Sequence, residues 1–198
     1  MMTPAADRFR VLIVPGLQDS GPGHWQTLWQ QHAPRFERVE QAQWNVADID
    51  AWSTCVASTL RRSARPAVLV AHSFGCLAAV HAAAGGARNL HGLFLVAPAD
   101  PQRFRLGATL RDLTLPCPAT VVASANDPWM DVVSAAWWAR RWGAAFFNAG
   151  ELGHINADSG IGAWPQGIAQ FDRLLARLPS PARCACGSES ETRTPAGR

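Results

Sequence analysis

Val68-Leu69-Val70-Ala71-His72-Ser73-Phe74-Gly75-Cys76-Leu77-Ala78-Ala79-Val80 joins two elements with no room for a loop between them. Val68–Ala71 is apolar at every position, as befits a strand of a parallel sheet covered on both faces. From Cys76 to Ala84 the chain is so rich in alanine that it reads as a helix buried nearly all round. The residues between, Ala71-His72-Ser73-Phe74-Gly75, therefore form a sharp strand-to-helix turn. In a nucleophile elbow such a turn forces strained angles on its serine and lifts the hydroxyl above the sheet edge. Its flanking positions must be small because neighbouring backbone lies against them. Ala71 stands where the usual Gly-x-Ser-x-Gly has its first glycine, a one-carbon change. The plainer reading is a serine that merely caps its helix.

Outward from this stretch the pattern repeats. Val11–Val14, Leu93–Ala97 and Thr120–Ala123 are further short apolar runs stopped by Gly, Pro, Ser or Asn; Ala144–Phe147 is a fifth candidate, and Glu37–Gln41 a weaker one. Ile49, Trp52, Val56 and Leu60 mark one helical face; Trp164, Ile168, Phe171, Leu175 and Leu178 mark another. Strands alternating with helices imply right-handed crossovers and an α/β sandwich of three layers around a mostly parallel sheet of about five to six strands. Pro101–Pro118 fits neither pattern and reads as a small cap or a strand-to-helix excursion. The composition changes at residue 180, which divides the chain into a domain over 1–179 and a disordered tail over 180–198. Cys184 and Cys186 in that tail lack the further ligands a zinc site needs.

Composition excludes several chemistries. The 198 residues contain no lysine and no tyrosine, so Schiff-base enzymes, P-loop nucleotide hydrolases and Tyr-Lys dehydrogenases are ruled out. The net charge of +3 is carried by scattered arginines, without the basic face that nucleic acid requires. Five cysteines without regular spacing make a poor disulfide framework and suggest a reducing, cytoplasmic setting. No segment approaches the roughly 18–20 apolar residues of a membrane span. No paired spacing of histidines and acids suggests a metal site.

Serine-dependent hydrolysis on such a sheet needs an acid after a later strand and a histidine last, in chain order Ser, Asp, His. Thr120–Ala123 leads into Ser124-Ala125-Asn126-Asp127-Pro128, and Ala144–Phe147 leads to Gly150-Glu151-Leu152-Gly153-His154. Ser73, Asp127 and His154 would thus converge on the carboxyl edge of the sheet. Asp100 also follows a strand and competes as the acid; Asp131 reads as the start of the next helix. His32, His81 and His91 read as surface or packing residues, and the His72 side chain should point away from Ser73.

The loop Pro15-Gly16-Leu17-Gln18-Asp19-Ser20-Gly21-Pro22-Gly23-His24-Trp25 superficially resembles a nucleotide-binding loop, but Gly21 is followed by proline and no Gly-x-Gly-x-x-Gly series appears. Beside a serine nucleophile, such a loop supplies an oxyanion donor, here the Leu17 N–H, with the Phe74 N–H as the other. Trp25 and Trp129 fall near the expected mouth and are candidates for lining an acyl pocket, while His24 reads as a pin for the loop.

With these residues in place the chain resembles the small YdeN-like serine hydrolases, an α/β-hydrolase family that also includes retinoblastoma-binding-protein-type members. The resemblance rests on Val14-Pro15-Gly16, Ser20-Gly21, His24-Trp25-Gln26 with Trp29, the elbow, Asn126-Asp127-Pro128 and Gly153-His154-Ile155-Asn156. It spans the body up to Pro179. It implies an α/β-hydrolase fold and a triad of Ser73, Asp127 and His154; the short chain itself leaves little room for a lid, so a minimal lid or none is expected. The expected activity is cofactor-free and metal-free cleavage of a small-molecule ester through an acyl-enzyme. The same residues leave open a thioesterase or acyltransferase. They also leave open a catalytically quiet protein-interaction module, although no feature indicates a protein partner.

Overall fold

A computed structural model describes residues 4–179, so the tail expected over 180–198, with Cys184 and Cys186, lies outside the described residues. After a short 3-10 turn (Pro4–Arg8), the elements are β1 (Arg10–Val14), α1 (Trp25–His32), β2 (Glu37–Arg38), α2 (Ile49–Arg61), β3 (Ala67–His72) and α3 (Phe74–Ala84). They continue with β4 (Leu90–Val96), α4 (Gly107–Arg111), β5 (Ala119–Ala123), α5 (Val132–Trp142), β6 (Ala145–Asn148) and α6 (Pro165–Arg177).

The six strands form one sheet in the order β2-β1-β3-β4-β5-β6, with every pair parallel. Alternate strand residues feed two cores. Leu12, Val14, Leu69, Ala71, Leu93, Leu95 and Val121 pack with α2, α3 and α5 on one face. Val11, Ile13, Val68, Val70, Phe94, Val96 and Val122 pack with α1 and α6 on the other. Apolar residues at successive positions are thus explained: each strand side has its own helical layer.

The edges depart from the sequence reading. The candidate strand at Ala144–Phe147 is shifted to Ala145–Asn148, and its residues are largely exposed because β6 is an edge strand. At the other edge only Glu37–Arg38 of the Glu37–Gln41 candidate is strand, where Arg10 binds Glu37 through two hydrogen bonds of 2.7 and 2.8 Å. The excursion over Pro101–Pro118 holds the single short helix α4, and Phe104 packs on Phe74 with ring centroids 4.9 Å apart. No helix among the described residues is long and apolar enough to cross a membrane.

Candidate active site

β3 ends at His72 and α3 begins at Phe74, leaving Ser73 alone in the turn with φ 53° and ψ −125°. Positive φ in a non-glycine residue is strained, by roughly 1–3 kcal/mol, and persists only where the surroundings enforce it. They do so here. Gly75 and Gly16 bring backbone against the elbow: a Cβ on Gly16 would stand 2.8 Å from the Ser73 Cβ.

Ser73 is not a side-chain cap for α3. Its hydroxyl instead meets His154, with Oγ 2.9 Å from Nε2. His154 Nδ1 lies 2.9 and 3.0 Å from the two carboxylate oxygens of Asp127. The Asp127 side chain is 2% exposed and that of His154 10%, so the chain of three groups is shielded from water almost to the serine. Shielding strengthens these polar contacts, because the local dielectric is low.

The loops that carry Asp127 and His154 brace each other. Ser124 Oγ accepts the Leu152 N–H at 2.8 Å and donates to Asn126 Oδ1 at 2.9 Å; the same oxygen accepts the Gly153 N–H at 2.7 Å. Ala125 N–H donates to the Gly150 carbonyl at 2.8 Å. The competing acids have other duties. Asp100 accepts the Gln102 N–H in a turn, and Asp131 caps α5 by accepting from Val133 and Ser134. Its contacts with Ser134 are the main reason its pKa is lowered.

In the loop after β1, the Gln18 N–H is taken by the Trp44 carbonyl, whereas the Leu17 and Phe74 N–H groups donate to no other described residue. Leu17, Asp19, His24, Ser73 and His154 share a cavity of about 220 Å³. On the far side of His154 is another of about 390 Å³, lined by Trp129, Glu151 and Asp158 among others. A cavity of about 680 Å³ between the ends of α2 and α3 contains Arg61, His81 and Arg88, but no residue of this cluster.

Residues 11–173 match the family model described as serine hydrolase. The chain belongs to the serine hydrolase family. A crystal structure of a protein described as a YdeN-like hydrolase, from Pectobacterium atrosepticum, superposes on it with a TM-score of 0.84 at 36% identity, covering 88% of this chain and 95% of that one. The ydeN gene product of B. subtilis matches in fold, with a TM-score of 0.69 at 18% identity over 85% and 100% of the two chains. Mouse alpha/beta hydrolase domain-containing protein 10 does so with 0.65 at 16% identity over 84% and 89%. No curated protein matches the chain.

Within this serine hydrolase the two tryptophans expected at the mouth part company. Trp129 is 53% exposed beside His154, with ring centroids 6.3 Å apart, and the Arg103 guanidinium covers its ring at 5.5 Å. Trp25 corrects the sequence reading: it is fully buried and lines no part of the cleft, because the first turn of α1 faces the core. Its motif holds backbone instead. Trp25 Nε1 donates to the Ile155 carbonyl at 2.9 Å, Trp29 Nε1 to that of Ala163 at 2.8 Å, and Gln26 Nε2 to that of Val70 at 3.0 Å. His24 caps α1, its Nδ1 accepting the Gln26 N–H at 3.2 Å. Burial pushes its pKa down to about 3, with the charges of Arg38 and His154 acting in the same direction. The sequence reading missed His72, which is buried, with Nε2 2.9 Å from the His154 carbonyl oxygen.

Proposed function

We propose that this hydrolase cleaves small carboxylic esters through a serine acyl-enzyme, with Ser73 as nucleophile, His154 as base and Asp127 as its orienting acid. The observation that carries this reading is the unbroken series Ser73 Oγ, His154 Nε2, His154 Nδ1, Asp127 carboxylate, each step at 2.9–3.0 Å. As the Ser73 oxygen attacks the ester carbonyl carbon, its proton passes to His154 Nε2. The developing imidazolium is stabilised by the Asp127 carboxylate, which also fixes the tautomer. The carbonyl electron pair moves onto oxygen, where the Leu17 and Phe74 N–H groups donate to it. Loss of one such donor commonly costs on the order of 3 kcal/mol. Collapse expels the alcohol with the proton from His154; water then attacks the acyl-Ser73 carbonyl by the same proton route in reverse.

The modest cavities either side of His154, about 220 and 390 Å³, favour a small acyl or alcohol group. Fluorophosphonate labelling of wild type beside Ser73→Ala and His154→Ala tests the chemistry. Labelling is expected to vanish in the first variant and fall sharply in the second. A folded wild-type protein that takes no label would overturn the reading. Turnover of matched p-nitrophenyl esters and acyl thioesters then tests the ester assignment, which fails if only thioesters are consumed.

A further inference from the structure

The turn that presents His154 is an unfavourable one. Gly153 has φ +55° and Ile155 has φ +46°. A β-branched residue in the left-handed region is a clear outlier, and Ile155 is fully buried there. Buried carbonyls within such a turn also need donors, since water cannot serve them. Two ring N–H groups meet that need on consecutive residues: His72 Nε2 at 2.9 Å from the His154 oxygen, and Trp25 Nε1 at 2.9 Å from the Ile155 oxygen. One donor comes from the end of β3, immediately before Ser73, and the other from the first turn of α1.

We propose that His72 and Trp25 are positioning residues, a two-point clamp on the His154 and Ile155 carbonyls that fixes the imidazole of His154 toward Ser73. This rests on the assignment of His154 as base. A carbonyl only accepts, so His72 must carry its proton on Nε2. Burial supports this by holding the ring neutral, its pKa driven well down chiefly by desolvation. The His72 ring also packs against that of His154, centroids 4.9 Å apart, and is backed by His24 at 4.7 Å on an edge-to-face contact. The residue preceding the nucleophile is therefore tied to the base through main chain and ring together. Neither clamp residue hydrogen-bonds to the Ser73 hydroxyl or to the ring nitrogens of His154. Their action is on the separation between Ser73 Oγ and His154 Nε2, and a misplacement of about 1 Å there can cost on the order of a hundredfold in rate.

The test compares His72→Ala, His72→Gln and Trp25→Phe with wild type. Gln returns an N–H donor near the imidazole Nε2 position; Phe keeps an aromatic ring but removes the donor. Expected results are labelling by fluorophosphonate and ester kcat at least about tenfold lower in His72→Ala and Trp25→Phe, with KM unchanged. His72→Gln should recover to within about threefold of wild type. Peptide-level hydrogen exchange should rise over residues 152–156 in the first two variants and return toward wild type in His72→Gln. A folded His72→Ala that labels within about twofold of wild type overturns the clamp, as does a His72→Gln as impaired as His72→Ala. If His72→Ala does not fold, Trp25→Phe against wild type decides by the same criteria. If wild type takes no label, the Ser73 chemistry fails separately, and exchange over 152–156 alone decides: raised supports the clamp, unchanged overturns it.

Discussion

Gly75 lies directly beneath Pro15: a Cβ on Gly75 would stand 2.2 Å from the Pro15 carbonyl oxygen and 2.6 Å from that of Val14. The start of α3 is thereby packed against the end of β1, and this contact brings the loop with Leu17 beside Ser73. Backbone atoms on both sides leave nothing free to yield. Gly75→Ala is therefore expected to lose more than about 3 kcal/mol, above the usual range for overpacking, or to fail to fold. Urea unfolding measures it. A Gly75→Ala protein as stable as wild type would show that the elbow has slack.

The second brace lies between the loops after β5 and β6. Ser124 is completely buried, and its hydroxyl serves both the Leu152 N–H and Asn126 Oδ1. Ser124→Ala leaves the Leu152 donor without that partner, a cost of about 1–3 kcal/mol. It also loosens Asn126, which holds the Gly153 N–H immediately before His154. Urea unfolding should register the first effect and fluorophosphonate labelling rate the second. Full stability with full labelling would mean that the Ala125–Gly150 backbone bond suffices.

Which of these relationships were legible in the sequence follows from their range. Strands β1, β3, β4 and β5 announced themselves because both faces are covered, so their central positions are apolar in succession, with polar residues such as Arg10, His72 and His91 at or near the ends. β2 and β6 blurred because the sheet edges are incompletely covered: both β2 residues are half-buried and three of the four in β6 are exposed, Phe146 at 39%. β3 ran on through His72, since nothing in a polar residue signals that its donor has a buried carbonyl waiting. Ser73, Asp127 and His154 were visible as residues at the carboxyl ends of strands, and the parallel order β3-β4-β5-β6 brings those ends to one edge. The side chains that hold them were hidden. Trp25 could be placed in the right loop, but its orientation depends on which face of α1 meets the sheet.

Buried neutral histidines make stability acid-sensitive. The pKa of His24 in the fold is about 3, and that of His72 is well below the ordinary 6.5, both chiefly through desolvation. Above about pH 6.5 both rings are neutral, folded or unfolded, and the stability is fully present. As pH falls below that value the unfolded chain takes up protons the fold refuses, so stability is lost progressively down through the folded pKa. The slope is up to about 1.4 kcal/mol per pH unit for each ring. For His24 this amounts to about 2 kcal/mol between pH 7 and 5. His24→Asn retains an acceptor for the α1 cap while removing the titrating ring. Its urea midpoint should therefore fall less steeply than wild type over pH 7 to 5; an identical slope would sink the assignment to His24.

Trp129 and Trp25 should respond oppositely to truncation. Trp129 is 53% exposed, contacts His154 edge-on and carries Arg103 on its ring, whereas Trp25 is fully buried between Trp29, Trp164 and His72. Trp25→Ala removes a large core side chain and should cost about 3–5 kcal/mol. Trp129→Ala removes no core contact and should alter stability by no more than about 0.5 kcal/mol. Because Trp129 lines the cavity beyond His154, its loss should instead raise KM for esters whose group enters that side, with kcat little changed. Steady-state kinetics on a series of esters of increasing size would check this. A uniform fall in kcat with KM unchanged would instead assign the Trp129 ring to holding the His154 imidazole, which it meets edge-on with ring centroids 6.3 Å apart; the bond from the Trp129 backbone N–H to Asp127 at 2.9 Å is kept in Trp129→Ala.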